Sequence, residues 1–318
     1  MNQGPVQGRT RTAVRQVEIG DGESGQRIDN FLAKHLKGVP KSHIYRILRE
    51  GQVRVNRGRI KPDYKLQTGD TVRIPPVRVA EEGAPMRLPD TVLNRLRESI
   101  LYEDDALLIL DKPSGLAVHA GSNLPFGVIE ALRALRPEAP FLELAHRLDR
   151  DTSGCLILAK QRPALLHLHG LLKNGNIEKR YLLLVAGKWQ GGAREVSAAL
   201  DKNAVRGGER MVQVSDTGRV AVTRFRPVER YKEATLLEAL LDTGRTHQIR
   251  VHAAHIGHPL AGDDKYGDAD FNRRMAGFGL KRLFLHAQSV SFAMPGGKAI
   301  DVSTPLSADL KQVLDGLT

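Results

Sequence analysis

The chain has 318 residues, 41% of them hydrophobic, a single cysteine and a formal net charge of +12. That length leaves room for a large domain and a smaller companion, each with its own core, while one cysteine excludes an internal disulfide framework and fits a reducing, cytoplasmic setting. No run approaches the roughly 18 apolar residues of a membrane span and the first residues lack the apolar centre of a secretory leader, so a soluble intracellular protein is expected. Its excess of Lys and Arg points to a polyanionic partner.

Residues 1–16 contain Arg9, Arg11 and Arg15, no acid and few apolar groups, which reads as a disordered basic tail. Residues 17–75 read as a compact basic module: from Gln26 to Pro75 there are twelve Lys and Arg against four Asp and Glu, eight of the chain's twelve net charges. Ile28, Phe31, Leu32 and Leu36 have helical spacing, and Lys41 opens a second helix carrying Ile44, Tyr45, Ile47 and Leu48 that Gly51 ends. Val53 with Val55, and Val72 with Ile74, alternate as short strands do, joined through Gly58 and the Thr68-Gly69-Asp70 turn. Arg27, Lys41, Arg46, Arg49, Arg54 and Arg57 occupy the faces left by these stripes. Charge runs are usually solvated faces, but one sign carried on an ordered pattern favours phosphate contact and RNA.

Residues 76–99, rich in proline and charge without steady periodicity, read as a linker. From residue 100 the pattern is α+β and strand-rich. Leu107 to Leu110 forms a buried strand delivered into the turn Asp111-Lys112-Pro113-Ser114-Gly115, and a helix follows over 127–136. The stretch HRLDRDTSG, from His146 to Gly154, packs polar chemistry against the apolar run Cys155 to Ala159. Asp149 is the candidate reacting group. A helix over 163–173 ends at Asn174-Gly175, and strands follow at 180–186, 220–225 and 235–241 in an antiparallel or mixed sheet. A second polar concentration runs from Asp242 to Gly267, with a helix over 246–256 that places His247 and Arg250 near one another at i, i+3. Strands near Leu283 and Val302 and a last helix from Leu306 complete the chain.

Three plainer chemistries are set aside. His252, His255 and His258, with His247 nearby, suggest a zinc site, but Arg250 would sit beside the metal and the run passes through Gly257 and Pro259. Cys155 lacks a polarising neighbour and reads as core rather than a nucleophilic thiol. Ser153, His146 and Asp149 mimic a hydrolase triad without a nucleophile elbow.

Taken together, KPSGLAVH (Lys112 to His119), HRLDRDTSG, KRYLLLVAG (Lys179 to Gly187) and TGRTHQIRVH (Thr243 to His252) resemble, in order, the motifs of the RNA pseudouridine synthase family, and the basic module resembles the S4 RNA-binding domain. The resemblance implies a mixed, mainly antiparallel central sheet with flanking helices over 100–318, preceded by a small α/β S4-like module. It implies an isomerase with no cofactor and no metal, which breaks the N1–C1′ bond of a flipped uridine and re-forms it as C5–C1′. Asp149 would attack C1′ or assist loss of the base through a glycal, and both routes stay open. Arg250 would ion-pair with Asp149, because a carboxylate in a dry site needs a cation to stay ionised. Tyr181 would stack its ring on the uracil and is counted with the catalytic residues, its hydroxyl open to a part in proton transfer; Ile249 would lie on the other side of the base, and Arg147 would fill the gap left in the RNA. Lys112 and Gly115 would be pocket wall or backbone support, and His146, Asp151, Thr152 and Ser153 would hold the loop. GQRIDNFL, GVPKSHIYRILR, RIKPDYKL and LYEDD narrow the likeness to members acting on the large ribosomal subunit. That implies 23S rRNA or a large-subunit assembly intermediate as partner, and a monomer. The competing view is an inactive RNA-binding assembly factor, against which the joint presence of Asp149, Tyr181 and Arg250 argues.

Overall fold

The computed structural model describes the chain from residue 9 onward except at positions 12, 37–38, 81–87, 122–123 and 207–208. Its backbone divides into two compact units, residues 1–87 and 88–318.

The first unit contains β1 (Arg9–Arg11), β2 (Arg15–Glu18), α1 (Ile28–His35), α2 (Lys41–Arg49), β3 (Arg54–Val55), β4 (Thr71–Ile74) and β5 (Arg78–Ala80). Neither helix has a side-chain N-cap. What holds them is the predicted stripe: Ile28, Phe31 and Leu32 of α1 and Ile44, Ile47 and Leu48 of α2 are buried with Val53, Val72 and Ile74. Each such side chain contributes about 1.5–3 kcal/mol relative to exposure, more than a cap does. Strands β2, β4 and β3 form an antiparallel sheet in that order, and β1 pairs with β5. The disordered-tail expectation is therefore corrected at Arg9–Arg11 and from Arg15, whose backbones are paired in ladders. Residues 1–8 and 12 lie outside the described residues.

The second unit opens with α3 (Asp90–Glu98), which corrects the linker expectation: Leu96 is buried in the main core. Then follow β6 (Ile100–Glu103), β7 (Leu107–Lys112), α4 (Val128–Leu135), β8 (Glu143–Leu144), β9 (Ser153–Ala159), α5 (Arg162–Asn174), β10 (Glu178–Ala186) and β11 (Arg194–Ser197). The chain continues through β12 (Leu200–Arg206), β13 (Glu209–Val214), β14 (Val222–Arg230), β15 (Ala234–Leu241), α6 (Gln248–His255), α7 (Ala269–Gly277), β16 (Leu285–Ala293), β17 (Ala299–Ser303) and α8 (Ala308–Leu317). The central sheet runs β11-β14-β15-β10-β16-β9-β7-β6, with β17 on β16 and β8 on β9, while β12 and β13 form a separate hairpin.

Every ladder of that sheet is antiparallel except β9 with β16, which makes it mixed. All seven residues of β9 are buried. Leu156 and Leu158 face one apolar cluster with Leu108 and Leu110, whereas Cys155, Ile157 and Ala159 face another with Leu107 and Ile109. A strand covered on both faces reads as a continuous apolar run rather than an alternation, which is why Cys155 to Ala159 shows no period of two. At its N-terminal end β9 touches β16 at Ser153 and Gly154. Gly154 has φ +107, and a Cβ there would lie 2.2 Å from the Ala287 carbonyl oxygen, so only glycine permits this approach.

Candidate active site

The loop carrying Asp149 leads from β8 into β9 and is held from beneath by the Lys112–Gly115 turn. Lys112 is fully buried, and its ammonium donates to the carbonyls of Pro113 at 2.8 Å, Leu116 at 2.7 Å and Arg150 at 2.9 Å. Burial pushes this amine down to about 7 while Asp151 and Asp149 pull it up, and three carbonyls facing one nitrogen suit the protonated form with its three hydrogens. The Gly115 N–H donates to the Arg150 carbonyl at 2.9 Å, and the Ser114 hydroxyl to the Asp151 carbonyl at 2.7 Å. Within the loop, the Thr152 N–H donates to the Asp149 carbonyl at 3.2 Å. Lys112 spends its donors on backbone and does not line the cavity at Asp149. Of the two roles expected for it, pocket wall or backbone support, these contacts are those of support.

Asp149 meets Arg250 across 101 residues of sequence: Arg250 Nη1 donates to Asp149 Oδ2 at 3.2 Å. The other edge of the guanidinium is locked, Nε and Nη2 each donating at 2.7 Å to the two oxygens of Asp263, a side chain with no exposed surface. Asp263 also accepts the N–H groups of Lys265 at 2.9 Å and Tyr266 at 3.0 Å. Burial pushes the Asp263 carboxyl up, but the Arg250 fork and these N–H groups outweigh it and hold it below the usual range. Burial likewise opposes the charge on Arg250, and the two carboxylates overcome it and raise its pKa. His247 Nε2 lies 3.8 Å from the same oxygen, Asp149 Oδ2. Asp149 Oδ1 takes no donor among the described residues.

Beside this carboxylate is a cavity of about 180 Å³ walled by Tyr181, Ile249, Leu241 and Leu285. A cavity of about 150 Å³ holds a benzene-sized ring, so there is space for one uracil. Tyr181 comes from β10 and Ile249 from the first turn of α6, both buried. Burial, with Asp149 and Cys155 adding to it, pushes the Tyr181 phenol up, so the hydroxyl keeps its proton. Arg147, Lys202 and Arg245 line the cavity from exposed positions. The site thus assembles Arg147, Asp149, Tyr181, Ile249 and Arg250 in one place.

The discarded chemistries stay apart in space. Ser153 Oγ lies 3.0 Å from His286 Nδ1, while His146 Nε2 accepts the Ile157 N–H at 3.1 Å. Cys155 is buried, which pushes its thiol up to about 12. His252 is held by the Thr223 hydroxyl at 2.9 Å and the Ala198 carbonyl at 3.1 Å, and His258 by the Ala186 carbonyl at 2.8 Å. Among the described residues no group of three or more His, Cys, Asp or Glu is placed to hold a metal.

Two site residues escape sequence reasoning, Asp263 and Tyr266, both in GDDKYG. Their only signal is their presence in the polar stretch 242–267. Helix α6 also begins later than expected: His247 has φ +54, a left-handed conformation, so it precedes the helix at Gln248 instead of sharing a helical face with Arg250.

In the first unit Arg27 pairs with Asp29 at 2.8 Å and keeps 46% of its side chain exposed. Lys41, Arg46, Arg49 and Arg57 are exposed and Arg54 is half-buried.

The site is a carboxylate with one oxygen tied to a fixed arginine, beside a slot of ring size walled by Tyr181 on a mixed sheet. The sequence matches the family model for RNA pseudouridylate synthase over residues 106–255 and that for the S4 domain over residues 26–72. The chain belongs to the RNA pseudouridine synthase family and is an isomerase. It is 57% identical over 308 residues to the ribosomal large subunit pseudouridine synthase C of Haemophilus influenzae, covering 96% of each chain. To the protein of that name in Escherichia coli it is 56% identical over 309 residues, 96% of this chain and 97% of the other. The solved structure of human RNA pseudouridylate synthase domain containing 4 shares the fold at a TM-score of 0.60 and 24% identity, over 72% of this chain and 96% of that one.

Proposed function

We propose that this protein converts specific uridines of 23S rRNA to pseudouridine, acting as a cytoplasmic monomer on the RNA or on a large-subunit assembly intermediate. The names of its relatives and the S4 domain at residues 26–72 support the substrate class. No helix of the described residues is long and apolar enough to cross a membrane. The observation that carries the chemistry is Asp149 beside the cavity, with Oδ2 tied to Arg250 and Oδ1 without a donor.

In this reading the uridine leaves its stack and enters between Tyr181 and Ile249, while Arg147 occupies the vacated space. Asp149, paired with Arg250, attacks C1′ or assists departure of the base through a glycal. The uracil turns, C5 bonds to C1′, and the proton on C5 is lost as N1 regains one. The atoms balance without an external reagent. Asp149→Asn keeps the fold and RNA affinity and abolishes the product. Mass spectrometric mapping of 23S rRNA from a deletion strain carrying that variant checks this, and normal modification sinks the mechanism.

The first unit binds RNA through Arg27, Lys41, Arg46, Arg49, Arg54 and Arg57, and the second, residues 88–318, performs the chemistry. Replacing both Arg46 and Arg49 by Glu weakens RNA binding and lessens its salt dependence, since fewer phosphates are neutralised. An unchanged salt slope removes α2 from the interface.

A further inference from the structure

His247 stands apart from the histidines that hold the framework. Its Nδ1 lies 2.8 Å from the Tyr266 hydroxyl, and that hydroxyl oxygen accepts the Val212 N–H at 3.0 Å. With an N–H already pointing at its oxygen, the phenol directs its own proton toward His247 Nδ1. Nδ1 then accepts, and the neutral ring carries its hydrogen on Nε2, the atom 3.8 Å from Asp149 Oδ2. We infer that His247 is a positioning residue for the reaction: it donates Nε2–H to Asp149 Oδ2 beside Arg250, in a tautomer set by Tyr266, and so leaves Oδ1 alone to meet the sugar. This rests on the assignment of Asp149 as the reacting group.

Further observations bear on it. The 3.8 Å separation is longer than a hydrogen bond, and such bonds in unliganded sites are often long and tighten when substrate binds. Burial lowers the His247 pKa, Asp149 and Asp263 raise it and Arg250 and Lys265 lower it, with a net fall that keeps the ring neutral. Burial also raises the Tyr266 pKa, against the Val212 N–H and Arg250, so its hydroxyl keeps the proton it donates. Both supports of the carboxylate come from one short turn: Asp263 holds Arg250 and Tyr266 holds His247, while the Tyr266 N–H donates to Asp263 Oδ1 at 3.0 Å. Tyr266 also lies 5.1 Å beneath the Arg250 guanidinium, so its ring orients one support and its hydroxyl the other.

The test uses the full-length protein and an rRNA transcript, measuring the single-turnover rate at saturating enzyme and the Kd for RNA separately. In His247→Asn the amide nitrogen reaches only the place of Nδ1, and asparagine tolerates the left-handed backbone. In His247→Gln it reaches the place of Nε2. The Asn variant loses about tenfold in rate, as loss of a hydrogen bond to a charged group predicts, with Kd unchanged, and Gln regains most of it. Tyr266→Phe keeps the ring over Arg250 and loses rate by a smaller factor with Kd unchanged. It serves also if the Asn variant fails to fold. Asp149→Asn inactive with Asn and Phe variants at the wild-type rate, or with Gln as slow as Asn, overturns the role of His247 and leaves Asp149 standing. An active Asp149→Asn overturns both.

Discussion

Replacing Asp263 by Asn tests whether the carboxylate proposed to react, Asp149, depends on a side chain with no exposed surface. The substitution conserves volume, so no cavity term enters. The amide oxygen is best kept at the Oδ1 position, where Arg250 Nη2 and the N–H groups of Lys265 and Tyr266 converge. The amide nitrogen then faces Arg250 Nε, donor against donor, at a place now bridged at 2.7 Å. Breaking a buried ion pair costs about 3–5 kcal/mol, and since Asp149 still shares the guanidinium the lower figure applies, about 3 kcal/mol. The freed edge of Arg250 swings toward Asp149, and a displacement of about 1 Å at a reacting group lowers the rate on the order of 100-fold. Urea unfolding measures the first effect and single-turnover pseudouridine formation the second. The Asp263 pKa is depressed by folding, so its stabilisation is complete above the unfolded value of about 4 and is lost as pH falls through the lower folded value. The deficit of the variant is therefore full at neutral pH and shrinks in acid. In an Asp149→Asn background the same substitution costs more, because Arg250 then has no carboxylate. A variant within about 0.5 kcal/mol of the parent and at its rate would refute the reasoning.

Three other outcomes follow from the geometry. Gly154→Ala puts a methyl group 2.2 Å from the Ala287 carbonyl at the parallel β9–β16 contact and strains a φ of +107, so stability falls by about 3 kcal/mol, and an unchanged melting temperature contradicts the close approach. His146 is driven down to about 4 by burial, with Lys179 adding to the fall. Its folded pKa lies below the unfolded value of about 6.5, so the unfolded chain protonates first and stability declines between those pH values, by up to about 2 kcal/mol given its partial exposure. His146→Gln flattens that part of a stability-versus-pH curve. Tyr181→Phe keeps the stacking ring, and because the native phenol stays protonated beyond its usual pKa of about 10, both proteins give pH–rate profiles of one shape from neutrality to that point. An alkaline limb confined to the native enzyme contradicts this.

Local patterns carried what depends on near neighbours. The stripes at Ile28–Leu32 and Ile44–Leu48 settle two helices because residues three and four apart share a face whatever surrounds them. The run Cys155–Ala159 announces a covered strand because burial on both faces leaves every residue apolar, and the four motifs announce the family because they occur together and in order. Helix α3 was hidden by its charged face: only Leu96 of its nine residues is fully buried, too little to show a stripe.

The sequence by itself determined the family, the α+β class with its basic leading module, and the candidates Asp149, Tyr181 and Arg250. Tertiary structure decided which residues hold them. Asp263, Tyr266 and the left-handed His247 act through space on partners that no periodicity connects, and Arg250 reaches Asp149 across 101 residues. Lys112 became a loop support only once Pro113, Leu116 and Arg150 turned their carbonyls onto it. The physical reason is that hydrogen bonds and ion pairs depend on distance and direction after folding, which residue order alone does not specify. Hence Asp149, first a carboxylate in a polar loop, is distinguished from Asp151 by what Arg250 and His247 bring to it.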